Sequence, residues 1–60
     1  MDDPILNEYQ VARALNISVQ TLRNWRNLRK GPPYMKIGRA VRYNLDDLRE
    51  FTLKHTIRPE

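Results

Sequence analysis

The sequence predicts a mainly α fold with one small β-hairpin, in the order helix, tight turn, helix, hairpin, helix. Three observations point to it. Three short amphipathic segments each follow a residue suited to start a helix: Asn7, Ser18 and Asn44. Only Asn16, Ile17 and Ser18 separate the first two. Two runs alternating apolar with basic residues lie between the second segment and the third, the period of half-buried strands.

The 60 residues allow a single domain over 1–60, with an ordered core over about residues 5–55. A domain of this size buries only about 60% of the surface its unfolded chain exposes. With no cysteine, disulfides cannot staple it, and a single histidine excludes the usual tetrahedral zinc sites. No metal and no cofactor are expected. No apolar run approaches the roughly 20 residues that span a bilayer, and no signal peptide opens the chain. The expectation is a soluble, cytoplasmic protein with no membrane partner. The acids lie mostly at helix starts and the histidine has no nucleophile near it, so an enzyme is not expected.

Taken in order, the chain opens on a short polar lead that ends at Pro4. Asn7 is the expected cap of the first helix. Gln10 can reach back to the cap N–H, and Leu6 and Val11 form the flanking apolar pair. Val11, Ala12 and Leu15 give its buried face. Asn16 can adopt the left-handed conformation that ends helices. Ser18 caps the second helix, expected from Val19 to about Leu28, with Ile17 and Leu22 as its apolar pair. Leu22 and Trp25 define its core side. Gly31 is expected to stop it, and Pro32-Pro33 to prevent its resumption. Met35-Lys36-Ile37 and Val41-Arg42-Tyr43 form the two strands, joined by Gly38-Arg39-Ala40. In that register Met35, Ile37, Val41 and Tyr43 face the core, Lys36 and Arg42 face out, and Arg39 sits at the tip. Asn44 caps the third helix, where Asp46 and Asp47 suit the first turn. The helix is expected to fray near His55, and Thr56–Glu60 to form a disordered or loosely docked tail.

The net charge of +4 matters less than its distribution. No acidic residue occurs between Glu8 and Asp46, whereas that stretch holds Arg13, Arg23, Arg26, Arg29, Lys30, Lys36, Arg39 and Arg42. A solvated surface ordinarily mixes both signs. A one-sign middle is the footprint of a polyanion site.

Two short helices crossing at a tight turn, the second polar and basic on its free face, make a helix-turn-helix; the basic hairpin beside them makes it winged. In such a unit the start of the second helix enters the major groove. Its candidate contacts are Ser18, Val19, Gln20, Thr21, Arg23, Asn24, Arg26 and Asn27. Gln and Asn pair with adenine, and Arg with guanine. Thr21, Arg26 and the helix start can hold phosphates. Lys36, Arg39 and Arg42 are the wing's candidates, with Arg39 suited to a minor groove or flanking phosphate. The partner implied is double-stranded DNA.

The segments Leu22-Arg23-Asn24-Trp25-Arg26, Gly31-Pro32-Pro33-Tyr34-Met35-Lys36-Ile37-Gly38-Arg39-Ala40-Val41-Arg42-Tyr43 and Asp47-Leu48 resemble the small winged helix-turn-helix excisionases of phages and prophages. These recombination directionality factors are distantly similar to the DNA-binding domains of MerR-type activators. The resemblance covers roughly residues 5–54. It implies that a partner integrase performs strand chemistry in the bacterial host. The chain itself would bind several attachment-site sequences, bend them, self-associate head to tail and favour excision. It carries DNA contact chiefly onto Gln20, Thr21, Arg23, Asn24, Lys36, Arg39 and Arg42. Asn16 departs from the glycine common in such turns. Two other readings stay open: a small phage or prophage transcription regulator binding a promoter, and a protein-interaction module without DNA binding.

Overall fold

The computed structural model describes residues 4–59; Met1–Asp3 of the polar lead and Glu60 of the tail lie outside the described residues. The expected order of helices and hairpin is present: β1 (Ile5–Asn7), α1 (Glu8–Leu15), α2 (Val19–Asn27), β2 (Met35–Ile37), β3 (Ala40–Asn44) and α3 (Leu45–Lys54). The helix starts follow the sequence logic. Asn7 and Gln10 form the reciprocal capping box, with both backbone-to-side-chain bonds at 2.8 Å. Ser18 Oγ accepts from the Thr21 N–H at 3.0 Å, and Asn44 Oδ1 from the Asp46 N–H at 2.8 Å.

Both helices of the tight pair end in the same way. Asn16 takes φ +55°, and the N–H of Ile17 donates to the Ala12 carbonyl at 3.0 Å. Arg29 takes φ +56°, and the N–H of Lys30 donates to the Trp25 carbonyl at 2.8 Å. These are Schellman ends, in which a left-handed residue turns the chain back onto the last carbonyls. The stop of α2 therefore lies at Arg29 and not at Gly31. A left-handed arginine is dearer than a glycine by roughly 1 kcal/mol, so composition alone pointed to the wrong residue. Gly31 has a different task. At φ +91° it lies against Trp25, and a Cβ there would come within 2.9 Å of the indole Cε3.

The sheet is three-stranded, in the order β1-β3-β2 and antiparallel throughout, where the sequence predicted two strands. Ile5-Leu6-Asn7 is too short for a period to show. Its pairing partner lies far along the chain, with Leu6 opposite Tyr43. The hairpin also has a shorter turn than expected. Ile37 pairs with Ala40, leaving only Gly38 and Arg39 between the strands. Gly38 at φ +61° as the first turn residue is the signature of a type II′ turn. Losing one turn residue reverses the faces of β2. Lys36 pairs with Val41 on the Tyr43 side, while Met35 and Ile37 share the opposite face with Arg42 and Ala40. Ile37 is accordingly 61% exposed, not part of the core.

The core comprises Val11, Ala12, Leu22, Tyr43 and Leu48, with Leu6, Leu15, Ile17, Val19, Trp25 and Val41 packed around it. Ala12 of α1 and Leu22 of α2 belong to this one cluster, in which Tyr43 of β3 is fully buried. Phe51 of α3 meets Trp25 at 5.9 Å between ring centroids. The sheet and α3 thus fix the outer surface of α2 relative to the hairpin.

Gly31→Ala should lower stability by about 2 kcal/mol, through positive φ and the Trp25 clash together. Urea unfolding monitored by Trp25 fluorescence measures it.

Candidate nucleic-acid interface

The nine residues of α2 divide into three strips. Leu22, Val19 and Trp25 pack inward. This corrects Val19, placed among the outward contacts by its position near the helix start. Its apolar side chain is partly buried against the core, as burial of apolar surface favours. Gln20, Asn24 and Asn27 form the exposed strip. Gln20 Nε2 donates to Asn24 Oδ1 at 3.0 Å, an i, i+4 amide pair. Gln20 keeps its carbonyl oxygen and Asn24 its amino group, the complement of an adenine edge. At the helix start Ser18 and Thr21 join their hydroxyls at 2.9 Å.

The third strip holds the two arginines of α2, and both turn toward one carboxylate. Glu8, the first residue of α1, receives Arg23 Nη2 at 2.7 Å and Nε at 3.3 Å, and Arg26 Nη2 at 3.0 Å. Arg23 Nη2 also donates to the Tyr9 hydroxyl at 3.3 Å. The other terminal nitrogen of Arg26 donates to the Tyr43 hydroxyl at 2.9 Å, and its guanidinium lies 5.8 Å from the Tyr34 ring centroid. Glu8 and Arg26 side chains are each only 16% exposed. Hydrogen bonding from Arg23, opposed by partial burial and reinforced by Arg26, holds the Glu8 carboxyl below its ordinary range. Burial works against the charge of Arg26, but the Tyr43 and Glu8 contacts outweigh it. Arg23 would have to leave this pairing to reach a guanine. Arg26 is built into the fold.

The wing cations do not all point one way. Arg39 is exposed at the turn tip. Lys36 is exposed on the Tyr43 side of the sheet, whereas Arg42 lies on the other side, half-buried, with Nη1 on the Val41 carbonyl at 2.8 Å. Arg39, Arg42 and Arg26 nevertheless line one open cleft with Asn7, Glu8 and Tyr9, about 570 Å³ in volume. Glu8 and Tyr9 were not legible as part of this site. Their partners lie 14 to 18 residues away in the chain, and an acid at a helix start already has a local explanation.

A tight helical pair whose second helix shows a polar face, beside a basic hairpin, defines a winged helix-turn-helix DNA-binding module. The chain belongs to the helix-turn-helix domain family, which it matches over residues 9–56. Comparison with curated proteins gives no match. Among the described residues no acid, histidine or cysteine cluster could hold a metal, and no helix is long and apolar enough to cross a membrane.

Glu8→Gln should lower stability at neutral pH by about 1–2 kcal/mol, the smaller figure reflecting solvent screening of Arg23. The Glu8 carboxyl is lowered in the folded state, so its contribution is complete above the ordinary glutamate range. It is lost as pH falls through the lowered value. Denaturant curves of the two proteins should therefore stay apart at neutral pH and converge in acid, below the ordinary glutamate range.

Proposed function

We propose that this chain is an excisionase-type architectural DNA-binding protein. It binds repeated sites in attachment-site DNA, contacts further copies of itself there, bends the duplex and turns a phage integrase toward excision. One observation carries the reading: the outward strip of α2 is made of amides, while both of its arginines are held by Glu8. Each good bidentate base contact provides about 1–3 kcal/mol of discrimination. Three amides on one short helix select only a few base pairs. Affinity then comes mainly from phosphates and from how easily the site deforms. Several weak readers side by side multiply specificity, which suits a protein that shapes DNA in concert with a recombinase.

In this reading Gln20, Asn24 and Asn27 touch base edges. Ser18, Thr21 and the start of α2 hold phosphates of the same groove. Arg39 reaches the flanking minor groove or backbone, with Lys36 and Arg42 beside it. Arg23 and Arg26 act chiefly through Glu8, by setting how α2 projects.

With the three wing cations on phosphates, log K should fall with log salt at a slope of about −3, and steeper where further cations join them. Arg39→Ala should weaken binding evenly across sequences and make that slope shallower by about 0.9. Asn24→Ala should reduce discrimination between sites and leave the slope unchanged. The decisive assay looks for an integrase gene and attachment site beside the coding region, supplies the chain to that integrase and scores excision. Excision that rises with the chain, on DNA bent by it, supports the proposal. Promoter repression with no effect on excision assigns the chain to transcription control instead.

A further inference from the structure

Arg29 is the residue whose placement the fold does not require. It ends α2 in the left-handed conformation at φ +56°, where glycine would be at ease. Its side chain is exposed, and neither it nor Lys30 has an ion-pair partner among the described residues. The two cations line one open cleft of about 560 Å³, together with Arg26, Tyr34, Gly31, Pro32 and Pro33. Pro32 is buried, which anchors this corner against the fold. Arg26 also lines the cleft beneath Arg39 and Arg42. The two clefts are therefore neighbours, joined through one guanidinium. Together they form a track of cations from the wing tip to the end of the reading helix, interrupted where Arg26 is paired with Glu8.

The length of α2 says what this end of the track meets. Nine residues rise about 13 Å, whereas the major groove is about 8.5 Å deep. A helix that enters by its N-terminus leaves the residues that follow its last turn, here Arg29 and Lys30, nearest the rim and the phosphodiester backbone.

We propose that Arg29 and Lys30 form a second phosphate-binding site, which takes the backbone of the duplex that α2 reads, at the groove edge beyond the wing. The inference rests on the DNA-binding reading and adds two contacts to it. Arg29 occupies a strained position because its charge is needed there, and Lys30 follows it at the turn.

Arg29→Gly tests this, because stability and binding should move in opposite directions. Relief of the positive φ should raise the melting temperature by a few degrees. The dissociation constant for duplex DNA should rise about 3- to 10-fold at 0.1 M salt, evenly across sequences. The slope of log K against log salt should become shallower by about 0.9. Arg29→Lys, which keeps both the charge and the strain, should bind as the unsubstituted chain does. Lys30→Gln should flatten the slope by a similar amount. Unsubstituted affinity and slope in Arg29→Gly would overturn the proposal. So would a lowered melting temperature with an unchanged slope, the result expected if Arg29 only complements the helix end. A flat salt series for the unsubstituted chain would overturn the DNA-binding reading itself and this site with it.

Discussion

The pairing of Glu8 with two arginines is the constraint on which the rest of the interface depends. One carboxylate at the start of α1 fixes Arg23 and Arg26 on α2, and through Arg26 reaches the buried Tyr43 hydroxyl of β3. Three elements of the fold are thereby tied by charge-assisted hydrogen bonds at the edge of a very small core. A five-residue core cannot by itself specify how a nine-residue helix sits against a hairpin. Hydrogen bonds have direction, and apolar contact has little. The polar bridge supplies the orientation that the core lacks.

The same bridge divides labour along α2. Arginine serves equally for base reading, phosphate binding and internal structure, and type alone does not separate these uses. Here geometry does. The arginines that face Glu8 are tied to the architecture, and the amides Gln20, Asn24 and Asn27 form the exposed strip. Free cations remain at the wing tip and at the end of the helix. Charge is therefore richest around the exposed amide strip and absent from it, an arrangement suited, in the proposed reading, to gripping DNA widely and discriminating narrowly.

The parts of this structure legible in the sequence are those governed by neighbours three or four residues apart. The caps at Asn7, Ser18 and Asn44, the left-handed Asn16 and the inward Leu22 and Trp25 all follow from local pattern. What depended on counting across a turn or between distant segments was not legible. The hairpin turn is one residue shorter than its glycine and apolar spacing suggested, and that difference moves Ile37 from the core to solvent. β1 has no pattern of its own and exists because β3 offers it an edge. Within the candidate site, the exposed amides could be read from helical spacing. The role of Glu8 could not, since only the folded chain brings it to Arg23 and Arg26.

Two asparagines have a consequence for how this domain can move. Asn7 is the last residue of β1, paired with Arg42, and also the cap of α1. Asn44 is the last residue of β3, paired with Ile5, and also the cap of α3. At neither junction does a spare residue lie between sheet and helix to absorb a displacement. Separating β1 from β3 therefore pulls on both caps at once, and on Glu8 immediately after the first. The hairpin of a winged domain is often pictured as an appendage that flexes alone. In this chain its central strand is continuous with the helical scaffold, so opening the sheet and loosening the helix starts belong to one cooperative event.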